Sequence, residues 1–308
     1  MKTRLVLFAA GCGAAAVAAA LMRQPMVGLL LVACCLLTHL LSRSLGWLPW
    51  AVFAAKLGFL VAVSVLVPIL FGGELIPVNP DQGLYLDHAA QIGAALVENP
   101  LAVDYTGIVG LHNRLYSIVV GWLAFLNGSP SVFLYRLLNL FLSLVIAGLA
   151  FGLASALYPA ATPKVARWAY LATAARPSVN VFTLFVLRDV LIACIVTLAT
   201  FGLFTGKYWL TLVSLALSYY TRIQLFFLVV GLVGLFGGLT LARRFGKWST
   251  PVQLALVVGL VVAGYFVAPL VLPPEYDYGH AWNFLGFGTF LLRFVPSFLG
   301  LDFLSAAP

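Results

Sequence analysis

The sequence predicts an all-α, polytopic membrane protein with about nine or ten transmembrane helices, a broken hairpin that re-enters the membrane and an external juxtamembrane helix. Three observations lead there. Mean hydropathy is +1.08, and the chain is 63% hydrophobic but only 8% charged, whereas soluble domains carry roughly a quarter charged residues. The apolar residues form long runs between short polar turns, without the ten-residue alternation of a β-barrel. The Lys and Arg residues behind the net charge of +8 are scattered between these runs. With no basic stripe and no interleaved aromatics they exclude a nucleic-acid surface, and membrane topology and phospholipid contact account for them.

The first spans are expected at about 5–22, 26–41 and 48–72, joined at Arg23-Gln24-Pro25 and at Arg43. The opening run reads as a span and not as a cleaved leader, because further spans follow at once. With Lys2, Arg4 and Arg43 on the cytoplasmic side, three spans deliver residues 73–114 outside. That loop holds Glu74, Asp81, Asp87, Glu98 and Asp104, five of the nine acids. Asn79-Pro80-Asp81 looks like a helix start, and Tyr85, Ala89, Ile92 and Leu96 recur at helical spacing, as in an amphipathic helix on the membrane surface.

A fourth span is expected at about 115–127, ending in the turn Asn127-Gly128-Ser129-Pro130, and a fifth at about 132–158. Residues 165–187 contain Pro177 and end at Arg188-Asp189. With 165–177 counted as a full span, Arg243, Arg244 and Lys247 would fall outside, so 165–187 are expected to dip in and return as a broken hairpin. Spans at about 190–205, 208–221, 224–241 and 251–272 follow, then a second external loop over 273–289 and an apolar tail over 290–308. Residues 1–308 thus form a single transmembrane domain, with a helical core over 115–272. All acids but Asp302 fall on one side.

Asp81 reads in two ways, as an acid stabilising a helix N-terminus or as a general base facing an external cavity. Asp189, with Arg188, is either an interfacial ion pair or a second acid at that cavity, where a divalent cation between the two carboxylates stays open. Arg222 either snorkels or binds phosphate, for which its fork of donors is suited. Tyr85, His112, Arg114 and His280, on the same outer face, are the candidate substrate-binding groups, and Asp87 and Glu98 belong to a solvated helix face. Lys56, inside the third span, snorkels or pairs within the bundle. Cys12, Cys34, Cys35 and Cys194 fall in apolar segments with no metal-site spacing and no disulfide framework. No phosphate-binding glycine loop, nucleophile elbow or zinc-protease motif is present, so substrates are expected in lipid-linked form.

The chain resembles the GT-C superfamily of polytopic glycosyltransferases, which includes protein O-mannosyltransferases and the aminoarabinose transferases of lipid A. The segments that carry the resemblance are PDQGLYLDHAA, HNRLYSIVVGWLAFLNGSPSVFLYRLLNLFLSL, RPSVNVFTLFVLRDVL and LALSYYTRIQLFF, in that order over residues 74–245. It implies that Asp81 is the catalytic base, Asp189 a second active-site acid and Arg222 a contact to the donor phosphate, with Arg188 beside it. It also implies a polyprenyl-phosphate sugar donor, a glycan or lipid acceptor, and a bacterial plasma membrane with the site on the external face. Gln82 stands where the family commonly has Glu, Ile223 where Pro is frequent, and two extra spans precede the usual first one. A polysaccharide polymerase, a lipid-linked saccharide flippase and a non-catalytic assembly subunit are the rival readings.

Overall fold

A computed structural model describes residues 2–76, 81–109, 114–159, 164–242 and 259. Among them every regular element is an α-helix. The order is α1 (Lys2–Met22), α2 (Pro25–Leu45), α3 (Leu48–Phe71), α4 (Asp81–Glu98), α5 (Tyr105–Val109), α6 (Arg114–Asn127), α7 (Val132–Leu157), α8 (Lys164–Ala175), α9 (Pro177–Leu184), α10 (Asp189–Phe204), α11 (Tyr208–Thr221) and α12 (Ile223–Ala242). Four of these contain stretches long and apolar enough to cross a bilayer, Arg4–Met22, Pro25–Leu45, Leu48–Phe71 and Val132–Leu157, which makes this a membrane protein. The expected Asn79-Pro80 helix start, the span at 251–272, the basic cluster Arg243, Arg244 and Lys247, and both His112 and His280 lie outside the described residues.

The chain divides into two compact units, Met1–Leu225 and Phe226–Pro308. The described part of the second is the remainder of α12, an apolar helix without a polar face. The first unit is a helical bundle whose core joins α1, α2, α3, α4, α6 and α7.

The bundle has two ends, defined by its tight turns. The α1–α2 turn meets the α6–α7 turn, where Ser131 Oγ lies 2.9 Å from Gln24 Oε1. From there α2 and α7 run side by side in the same direction: a Cβ on Gly148 would stand 3.3 Å from Leu41, and Leu45 packs with Ala147. Gly46, at φ +72°, turns α2 into α3 at the opposite end, where a side chain would be strained.

Two expectations are corrected here. The residues of α6 do not cross the bundle. Near its start Tyr116 stacks on Tyr85 of α4, within electrostatic reach of Asp189, and its last residue returns to the α1–α2 end. The turn at Asn127–Pro130 therefore lies with Gln24, not at the opposite end. Nor do α8 and α9 dip in and return. Tyr170 and Ala174 of α8 pack with Leu45 near the α2–α3 turn; Asn180 of α9 accepts a hydrogen bond from Lys56 of α3; and Leu184 reaches the level of Ser64 through Arg136, which bonds both. The pair climbs one way along α3, broken at Arg176-Pro177. Proline lacks the amide a continuing helix needs and pushes the preceding residue out of helical geometry, and Arg176 has ψ 120°. One crossing lost at α6 and one gained at α8–α9 leave α10 and α11 oriented as expected.

The apolar stripe of α4 is buried against α6. Gln82, Tyr85, Ala89, Ile92, Gly93 and Leu96 are its covered residues, while Asp81, Asp87 and Glu98 are exposed. The helices run parallel and close: Tyr85 stacks edge-on with Tyr116, with ring centroids 5.0 Å apart, Gly93 faces Ala124, and a Cβ on Gly121 would come within 2.4 Å of Ile92. Glycine at that crossing lets the backbones approach. All four cysteines are free, Cys34, Cys35 and Cys194 buried and Cys12 partly so.

Candidate functional site

Two helix breaks and one helix start bring the candidate residues together. Asp81 opens α4, and Tyr85 follows one turn later, only 3% exposed. Arg188 and Asp189 sit where the link after α9 becomes α10, ahead of the apolar run from Val190. From Asp189, α10 descends past α7, with Phe201 against Gly152. Gly206, at φ +72°, reverses the chain, and α11 climbs back with Thr211 Oγ1 donating to the carbonyl of Ala199 at 3.2 Å. Arg222 ends that climb in extended backbone between α11 and α12, its N–H still bonded to the Ser218 carbonyl.

Around Tyr85 these charges meet. Burial pushes its phenol above the ordinary range; Arg188 pulls it down, Asp189 and Asp81 push it up, and Arg222 pulls it down. Charges act over such range only when close and poorly screened. Burial likewise raises the Asp189 carboxyl, against the attraction of Arg188 and Arg222, while the Asp81 carboxylate repels its charge. Two arginines and two aspartates from three segments far apart in sequence therefore form one electrostatic group that acts on Tyr85. Asp81 and Arg222 are its exposed members; Arg188 and Asp189 are half-buried. Arg114 opens α6 two residues before Tyr116 and is half-buried.

Under this group lies a layer of buried polar atoms. Tyr116, 1% exposed, stands beside Asn139 and within electrostatic reach of Asp189. Arg188 Nη1 is buried with no hydrogen-bond partner among the described residues. Buried polar atoms are normally satisfied, so each exception calls for a reason. For Arg188 Nη1 an incoming anion is a chemically suitable partner. Along α4, His88 Nδ1 lies 3.0 Å from Ser117 Oγ, and burial lowers the His88 imidazole against the pull of Asp87. Among the described residues, no three His, Cys, Asp or Glu side chains gather closely enough to hold a metal ion.

The sequence reading met Arg136 and Asn139 only as the Arg-Leu-x-Asn pattern of the resemblance and gave them no role. Arg136, 2% exposed, donates from Nε to the Leu184 carbonyl at 2.6 Å, from Nη2 to the Glu74 carbonyl at 2.8 Å and from Nη1 to Ser64 Oγ at 3.4 Å. Asn139 Nδ2 donates to the carbonyls of Phe185 and Leu187 at 2.9 and 3.1 Å. The available signal was an Arg and an Asn three residues apart inside a 26-residue apolar helix, since such residues at that depth need a stated partner.

No protein-family model, curated protein or solved structure matches the chain.

Proposed function

We propose that this chain is an integral-membrane glycosyltransferase of GT-C type, moving a sugar from a polyprenyl-phosphate donor to a glycan or lipid acceptor in cell-envelope assembly. The observation that carries the reading is the meeting of Asp81, Arg188, Asp189 and Arg222 around Tyr85. Acids suited to proton transfer and guanidinium groups suited to phosphate stand together at one end of a lipid-embedded bundle. Asp81, exposed at the helix start, takes the proton from the acceptor hydroxyl as its oxygen attacks the anomeric carbon. The bond from that carbon to the phosphate oxygen breaks, its electron pair leaving on the phosphate. Arg222 and Arg188 stabilise the charge that develops there, and Arg188 brings an Nη1 with no partner among the described residues. Asp189 orients sugar or acceptor hydroxyls. Direct displacement inverts the anomeric configuration.

The site belongs on the external face of a bacterial plasma membrane, with the N-terminus cytoplasmic. Lys2, Arg4, Arg43, Lys164, Arg167 and Lys207 all fall toward the end opposite Asp189, which the preference for basic residues inside makes cytoplasmic. In this topology α4, α5 and α6 stay on the outer side, and α8–α9 count as one broken span.

The test is transfer from a radiolabelled polyprenyl-phosphate sugar in proteoliposomes. Asp81→Asn should lose about 10²–10⁴-fold in rate while inserting and melting as the unaltered chain does. Full transfer by that variant would remove Asp81 from the chemistry. Movement of the labelled lipid across the bilayer without glycosidic bond formation would instead make the chain a flippase.

A further inference from the structure

The segment that carries Arg188 and Asp189 has no local reason to stop being helical. Leu184-Phe185-Val186-Leu187 contains neither Pro nor Gly, yet α9 ends at Leu184 and α10 starts at Asp189. What interrupts the ladder is a set of side chains from other elements. Arg136 takes the Leu184 carbonyl, Asn139 takes those of Phe185 and Leu187, and Gln82 Oε1 accepts from the Val186 N–H at 3.3 Å. Gln82 Nε2 at the same time donates to the Ile76 carbonyl at 2.8 Å, in the segment leading to α4. Gln82, Arg136 and Asn139 are all 2% exposed or less. Their amide and guanidinium groups satisfy backbone that would otherwise stand bare inside a membrane protein.

Gln82 is the neighbour of Asp81, and the link it grips ends at Asp189. The same amide that bonds Val186 thus ties the helix start bearing one acid to the break bearing the other. Arg136 repeats the arrangement, holding Leu184 on one side and Glu74, ahead of α4, on the other.

We propose that Gln82, Arg136 and Asn139 are positioning residues: a three-point clasp that holds the α9–α10 link non-helical and sets Asp189 and Arg188 against Asp81. The part of this that concerns ligand binding rests on the function proposed above; the part that concerns the link does not. Gln at position 82 suits the clasp because one side chain must both donate to Ile76 and accept from Val186, and a carboxylate does only the second.

The test uses the full chain in lipid nanodiscs, with hydrogen exchange read by mass spectrometry and farnesyl phosphate as probe, inorganic phosphate serving as the headgroup alone. Gln82→Leu, Asn139→Leu and Arg136→Lys should each speed exchange at the Val186 amide and its neighbours by tenfold or more. Exchange in α2 should stay unchanged, and affinity for farnesyl phosphate should fall about tenfold. Gln82→Glu should fall between the unaltered chain and Gln82→Leu, since it keeps the bond to Val186. Arg136→Lys keeps the charge but cannot bridge Leu184, Glu74 and Ser64 together, so its failure to restore binding separates geometry from charge. If it does not insert, the two leucine variants, which leave Arg136 in place, carry the test. Unchanged exchange at the link in all variants would overturn the clasp; so would a loosened link with unaltered affinity. Absence of probe binding by the unaltered chain would instead count against the glycosyltransferase reading, and exchange at the link alone would then judge the clasp.

Discussion

Asp189 is placed to report its surroundings through pH. Burial raises its carboxyl above the usual carboxylate range, so the folded chain holds that proton to higher pH than the unfolded chain does. The group's contribution to stability is complete below the ordinary carboxylate pKa and is lost as pH rises through the folded value. Asp189→Asn, which keeps the shape without the charge, should therefore melt higher than the unaltered chain at pH 7, and the difference should shrink as pH is lowered toward about 4. A melting series in nanodiscs checks it. Arg222 is an exposed side chain in extended backbone, so replacing it should not disturb packing. Arg222→Lys, which loses the fork but keeps the charge, should weaken farnesyl phosphate about tenfold with melting unchanged; equal binding would restrict Arg222 to an interfacial anchor. Lys56, whose two sequence-level readings were snorkelling and pairing, pairs, donating to Asn180.

At the scale of elements, the α4–α6 crossing carries Asp81 and Tyr85. The helical spacing of Tyr85, Ala89, Ile92 and Leu96 was legible, and those residues are the covered face. What covers them is α6, which periodicity cannot specify: an apolar stripe looks the same whether lipid or a helix lies against it. Gly121 marks the difference, because a helix against lipid has no need of a missing Cβ. Gly121→Val would drive a side chain into Ile92 and should cost about 1–3 kcal/mol, readable as a lower melting temperature together with faster exchange in α4. The break at Arg176-Pro177 was also legible, since proline carries its effect locally. The boundary at Arg188-Asp189 was legible from its charges, but what holds residues 185–187 out of the helix was not, because the side chains that bond them lie in α4 and α7.

For the molecule as a whole, two corrections to the expected path cancel. Losing a crossing at α6 and gaining one at α8–α9 moves two turns to opposite ends but leaves Asp81, Asp189 and Arg222 together. Impermeant maleimide should therefore label a cysteine at Ser129 from the same side as one at Glu98, and a cysteine at Tyr158 from the other, in a background where the four native cysteines are replaced. Labelling of Ser129 from the Tyr158 side would restore the crossing of α6.

By itself the sequence determined that the chain is helical and lives in a membrane, where the four long apolar helices run, and which acids and arginines merit attention. These follow from composition and from local rules of hydrophobic length, turn residues and proline. Only the tertiary structure decided which way α8 and α9 run and what α4 packs against. It also placed an Arg, an Asn and a Gln from two other helices in hydrogen bonds to the non-helical residues between α9 and α10. Hydropathy registers how long and how apolar a segment is, but a hydrogen bond from Arg136 to Leu184 joins residues whose proximity exists only once the helices have packed.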